Sequence, residues 1–506
     1  MWTHRHTSPS LLLMVGRLLA ITSLSVLLAS CGQGRDGTLG VAVIGDAAAL
    51  KERGQRLSPS AQLVRAATDE GLVGFDERGR VVPALADRWI VTDNGQSYIF
   101  RLRDGTWPDG KRITADAAVA LLRKAIAGLK GTALGLDLAA IDEVRVMADR
   151  VIEIDLAAPV PELLTLLAQP ELSFSWKNAK GQVVGTGPMA VTGAEDGAQL
   201  FTLIPPEKRG LPQQASFATR ARPVSLSFAK AAAAVARFDD GDVDVVLGGK
   251  VDNVPLAGRI GLTRGNVQLD PVTGLFGLVV TRTEGFLGAA ANREALSMAI
   301  DRDVLLGGFN IGGWQPTTRI VSPDAEDDLG TIGERWQGMS MEDRQAQASA
   351  RVSAWKDAGR ALPTMNIAMA DGAGSTLVFE ALRRDFARIG IAVRRVPESD
   401  RGDLRLVDVA ARYGRATWFL NQLSCTVQKA VCSPAGDERV AEARRALDPA
   451  ARAALLAEAE AEITAANGFI PIARPLRWSM VRSGTTGFAQ NPWGWHPLPP
   501  MAWLPR

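Results

Sequence analysis

The chain has 506 residues, 57 Lys and Arg against 55 Asp and Glu for a formal net charge of +2, and 46% hydrophobic and 22% charged residues. That balance is the one of a folded protein rather than a disordered chain, and it gives no case for nucleic acid or a strongly acidic surface as partner. Three histidines and three cysteines are too few for zinc or haem sites built on clusters of such ligands or for a cysteine–histidine nucleophile pair, so no metal or cofactor is expected and no catalytic residue is singled out.

Basic residues His4, Arg5, His6 and Arg17 precede an apolar run from Leu18 to Leu28, followed by small Ala29 and Ser30. A run of that length is too short for a permanent membrane helix, and its flanks are those of a secretory leader over residues 1–30. Leu28-Ala29-Ser30-Cys31 also resembles a bacterial lipobox, which implies an exported protein lipidated at Cys31; an ordinary leader with an incidental cysteine is the alternative. After Cys31 no stretch is long and apolar enough to span a membrane. Roughly 475 residues remain, room for two or three domains. Of the histidines only His496 stays with the mature chain, and Cys425 and Cys432 stay beside Cys31. In an oxidising compartment that pair is expected to form a disulfide, two free thiols being the alternative. So short a loop would add about 2–3 kcal/mol in the chain-entropy model.

Gly32 to Gly37 matches G-x-G-x-x-G by letters only, since a cleaved leader and not a strand precedes it; residues 31–38 read as a lipid-anchored linker. Leu39 to Ile44 predicts a strand. Ser58 caps a helix that opens on Pro59 and runs to about Thr68. A hairpin-rich block follows. Residues 75–79 form a turn, and 81–85 contain a proline that argues for an edge or a bend. Trp89 to Val91 and Tyr98 to Leu102 alternate as strands around Asp93-Asn94-Gly95. Thr114 caps a helix to about Ala127, with Asp116 suited to its first turn. Val144 to Val146 and Val151 to Ile154 form another hairpin, and Pro161 opens a helix over 162–168.

Beyond this block strands and helices alternate. A helix over 229–238 leads to a strand over 243–247; Phe276 to Val280 is a strand and Arg293 to Asp301 a helix. Met365 to Met369, the amphipathic stretch Ser375 to Ile389 closed by Gly390, and Ile391 to Val393 make a β-α-β unit. Asp448-Pro449 starts a long helix to Ala466, stopped by Gly468. The pattern is that of an α/β protein with several lobes.

Glu70-Gly71-Leu72-Val73, Val82-Pro83-Ala84-Leu85-Ala86-Asp87-Arg88-Trp89, Asp93-Asn94-Gly95, Tyr98 to Gly105 and Trp107-Pro108-Asp109-Gly110 with Thr114-Ala115-Asp116 resemble, in order and spacing, the signature block of the extracellular solute-binding proteins of family 5. These are the peptide, oligopeptide and nickel-type receptors of ABC importers. Gly185-Thr186-Gly187-Pro188, Gly241-Asp242-Val243-Asp244 and Glu294 to Arg302 add to the resemblance, which spans about residue 38 to the C-terminus. It implies a two-lobed clamshell of the periplasmic-binding-protein type II class with an additional hairpin-rich α+β domain. Lobe I would comprise 39–64, 186–273 and 477–506; the inserted domain 65–185; and lobe II 274–476.

In the family's peptide receptors an aspartate that pairs with the ligand's α-amino group precedes a turn and Phe-Leu. Phe419-Leu420 matches that pair, which puts Arg412 at the aspartate's position and Arg415 in the turn. Two guanidinium groups would repel an ammonium, and the planar fork of arginine suits a carboxylate or phosphate. The solute is therefore expected to be neutral or anionic and not a free-amine peptide. Tyr413 and Trp418 flank the turn as candidates for stacking on it. The function implied is a lipid-anchored, monomeric receptor that captures a peptide or other small solute by lobe closure and delivers it to a membrane permease. A sensor or chaperone reporting ligand state to a protein partner is the alternative. A secreted hydrolase using carboxylates such as Asp239 or Asp242 is a weaker one, because dense acids around a glycine read as a helix–turn–strand junction.

Overall fold

The structure, a computed structural model, describes residues 1, 2, 37–177, 180, 183–258 and 265–505. Cys31, the body of the leader and most of the linker lie outside the described residues. Among those described, no helix is long and apolar enough to cross a membrane.

Two mixed sheets organise the two lobes. The first has seven strands in the order Met189–Glu195, Ala198–Leu203, Val224–Ala229, Leu39–Ile44, Val245–Gly249, Arg477–Val481 and Val267–Asp270. Leu39–Ile44 pairs in parallel with both neighbours, Val41 lying beside Leu226 and Val245. It is buried at five of six positions, which is why it reads as a continuous apolar run and not as an alternating one. The second sheet has five strands, Val393–Pro397, Met365–Met369, Leu404–Ala410, Gly274–Val280 and Phe469–Ala473. Met365–Met369 and Val393–Pro397 are parallel, joined by the helix Ala373–Arg388. The chain crosses between the lobes at 270–274 and at 473–477.

A four-stranded antiparallel sheet, Ala86–Thr92, Ser97–Leu102, Val151–Leu156 and Ile141–Ala148, carries the inserted hairpin-rich unit. Thr92 pairs with Ser97 across the Asp93-Asn94-Gly95 turn, where all three residues have positive φ; short polar side chains and glycine tolerate that conformation best. Ser58 and Thr114 cap their helices by accepting from the amides of Ala61 and Ala117. The lobes therefore form a two-lobed α/β clamshell with an extra hairpin-rich unit.

Local differences have local causes. Pro161 does not open its helix: Glu162 is the N-cap of Leu163–Leu167, so the proline sits one residue earlier. Ala229 ends a strand, and the helix after it starts at Ala231. The helix Pro449–Ala466 stops at Asn467, which takes the left-handed conformation at φ 47°, and not at Gly468. The lobes also touch. Gly372 and Gly374 at the start of Ala373–Arg388 lie against the backbone of Val251 and Asp252, where a Cβ would overlap carbonyl oxygen.

Candidate functional site

Residues 407–422 leave the second lobe's sheet at Ala410, turn at Gly414 and enter the helix Ala416–Gln422. The turn is fastened from within its own lobe: Gly414 accepts from the amide of Glu326 at 2.9 Å, and Asp327 takes the amide of Ala416 at 2.8 Å. This places the four sequence-predicted residues on one face of a seam, and each meets a partner supplied by the protein.

Arg412 reaches the inserted unit. Its fork donates to both carboxylate oxygens of Glu171, at 2.9 and 2.7 Å, and to Gln169 Oε1 at 2.8 Å. Glu171 Oε1 also accepts from Gln62 Nε2 at 2.9 Å, so one carboxylate ties three parts of the molecule. Burial pulls hardest on the Arg412 proton, but the charge of Glu171, the bonds to it and the nearby Asp137 together outweigh burial and hold the guanidinium above its ordinary pKa. Arg415 bridges Glu162 at 3.2 Å and Glu326 at 2.6 Å. Tyr413 is buried and donates through Oη to Asp137 Oδ1 at 2.8 Å, which also takes Asn421 Nδ2 at 2.7 Å. Burial pushes Asp137 up to about 7, opposed by the bonds from Asn421 and Tyr413. Its Oδ2 is buried without a partner, as suits a carboxyl that carries its proton there. Burial also raises Glu162 above the usual carboxylate range.

Trp418 is fully buried and meets Phe419 edge-on at 5.0 Å between centroids. In this conformation it has no face to offer a solute; Tyr413 has none either, and the Arg412 fork already holds a carboxylate. In this arrangement the arginine fork expected to meet an anionic solute is held by Glu171, 241 positions away, which supplies the counter-charge a part-buried cation needs. Nothing in the local sequence Gln169-Pro170-Glu171 marks that pairing, nor the one to Asp137. Cys425 and Cys432 are joined, with Cα atoms 5.0 Å apart, just beyond the helix that follows the turn. His496 bonds through Nε2 to Asp270 at 3.0 Å and stacks on Phe488, deep in the first lobe. Among the described residues no group of three His, Cys, Asp or Glu is placed to hold a metal ion.

Where the chain crosses between lobes, Asp408 adds a further tie. It pairs with Arg477 at 2.6 Å and accepts from the amide of Val251 at 3.2 Å. Nearby Asp252 is pushed up to about 6, by burial first and then by the Asp408 charge. Two large cavities, of about 710 and 870 Å³, lie between the first lobe and the inserted unit, a size suited to small-molecule sites.

A family model described as bacterial extracellular solute-binding proteins, family 5 Middle, matches residues 80–419. The periplasmic oligopeptide-binding protein OppA of Escherichia coli (strain K12) is 23% identical over 466 residues, 83% of this chain and 84% of that one. The probable deoxycholate-binding periplasmic protein YgiS of the same organism is 38% identical over 121 residues, 20% of this chain and 23% of that protein. Among solved structures, OppA of Burkholderia pseudomallei superposes with a TM-score of 0.77 at 19% identity, covering 94% of this chain and 100% of that one.

Proposed function

The chain belongs to the bacterial extracellular solute-binding proteins, family 5, and from that premise we propose that it is an exported receptor, anchored by lipid at Cys31, that captures a small solute between its lobes and hands it to a membrane permease. Lobe I would take in 39–64, 186–273 and 477–506, the inserted domain 65–185 and lobe II 274–476; the membership of the three sheets supports this division. Binding and hinge closure are the whole mechanism, with the solute released unchanged. Closure is favoured by contacts the solute makes to both lobes only when they meet.

The observation that carries the reading of the solute is the Arg412–Glu171 pair. Arg412 keeps an ammonium away from its position, and Glu171 withdraws the arginine from an acid. A solute without a charged terminus at this point fits best, which leaves uncharged or capped peptides and neutral amphipathic molecules; oligopeptides and deoxycholate, for which two relatives are named, carry charged ends and serve as the contrast. Native mass spectrometry of protein purified from its own host tests the proposal. The expected result is a non-covalently held small molecule that leaves intact on denaturation and rebinds when returned. Conversion of that molecule into another product by the purified protein would overturn the reading.

A further inference from the structure

The cavity of about 870 Å³ lies away from the Arg412 seam. Residues 49–53 and 64–70 form one wall, and 106–113 and 184–191 another. Five cations line it, Arg53, Arg65, Arg103, Lys208 and Arg209, against three acids, Glu52, Asp69 and Glu70. The acids are already engaged. Asp69 pairs with Arg65 at 3.1 Å, and Glu70 takes both Arg103 and Arg209. Glu52 accepts the amide and hydroxyl of Ser58 at 2.8 and 2.6 Å. Among the described residues neither Arg53 nor Lys208 has a carboxylate within ion-pair distance, and Arg53 donates only to the backbone carbonyls of Leu50 and Glu52. The same space is faced by apolar surface from Val64, Pro108 and Val191, while Trp107 and Met189 beneath it are buried, Trp107 stacking on Trp176.

A concave surface with surplus positive charge and low-dielectric walls concentrates anions. An apolar wall beside two cations suits a molecule with a flat hydrophobic body and one anionic group. We propose that this cavity is a second solute site, for a small organic anion whose carboxylate or phosphate is countered by Arg53 and Lys208 while its body lies on the apolar surface of Val64, Pro108 and Val191. The site is separate from the seam and stands whether or not the receptor reading holds.

Isothermal titration with phenyl phosphate, and with phenol as its uncharged counterpart, tests this on the mature chain. Phenyl phosphate should bind saturably at one site, at least tenfold more tightly than phenol. The Arg53→Ser/Lys208→Ser variant, altered at two exposed positions and folded by its unchanged melting temperature, should lose that advantage. Arg412→Ala should leave the binding as it is. Equal affinity for phenol, undiminished binding by the double variant, loss of binding in Arg412→Ala, or no binding at millimolar probe would each overturn the proposal.

Discussion

Replacing Arg412 by alanine removes three charge-assisted hydrogen bonds at once. Glu171, 3% exposed at its side chain, is left with Gln62 as its remaining bond partner of this network. Removing one member of a buried pair costs about 3–5 kcal/mol, because the other charge stays desolvated. The Arg412 side chain is itself 25% exposed and the Gln62 bond survives, so roughly 2–3 kcal/mol is the expected loss, ~30- to 150-fold in an equilibrium constant. The assay is a double-mutant cycle of Arg412→Met and Glu171→Gln, read by energy transfer between dyes on the second lobe and the inserted unit and by hydrogen exchange across 133–137 and 416–422. Each single variant should open the seam. The double variant should open it less than the two effects added, with a coupling of at least ~1.5 kcal/mol. Strict additivity, or a seam as closed in Arg412→Met as in the wild type, would refute the pairing as the tie between lobe and inserted unit.

Other outcomes follow from named contacts. Asp137 titrates near 7 in place, above its unfolded value near 3.9. The folded state therefore binds the extra proton, and stability falls as pH rises from about 4 through 7. Asp137→Asn should flatten that slope and melt higher than the wild type at pH 8, where wild-type Asp137 ionises without a partner for Oδ2; an unchanged slope counts against it. Trp418→Ala, at a fully buried ring, should cost about 3–5 kcal/mol in denaturant titration, and a loss below ~1 kcal/mol would mean the indole is not core. Gly374→Val places side-chain atoms against the Val251 carbonyl, so small-angle scattering should report a larger radius of gyration than the wild type's; identical scattering would show that the lobes do not rely on that contact.

Much of the fold was legible because it is written locally. Ser58 before Pro59 and Thr114 before Ala115 name helix starts through capping alone, and Asp93-Asn94-Gly95 names its turn through residues that accept positive φ. What escaped lacked such a signal. The helix Met341–Asp357 buries only Ala348 and Val352, so its sequence shows almost no apolar stripe, and Pro434–Arg445 is similarly polar. The hairpin Met189–Glu195 with Ala198–Leu203 is interrupted by a register shift at Gly193, which hides its alternation. At the seam the legible part was position. The turn and the charge at Arg412 could be read from the chain, whereas Gln62, Asp137, Glu162 and Glu171 reach it only through tertiary packing.

The energetics of the Arg412–Glu171 pair suit a contact that sets register. Two charges taken from water regain little more than their desolvation cost when they meet in good geometry, so such a pair is near neutral as a unit yet costly to leave half made. Apolar burial holds the seam itself, since Leu134, Leu138 and Leu166 of the inserted unit share one buried core with Tyr413, Trp418, Phe419 and Leu420 of the second lobe. Within that core the pair fixes register, because misplacing either group strands the other without a partner. The tie therefore specifies how the second lobe seats on the inserted unit, while apolar burial supplies most of the strength of that contact.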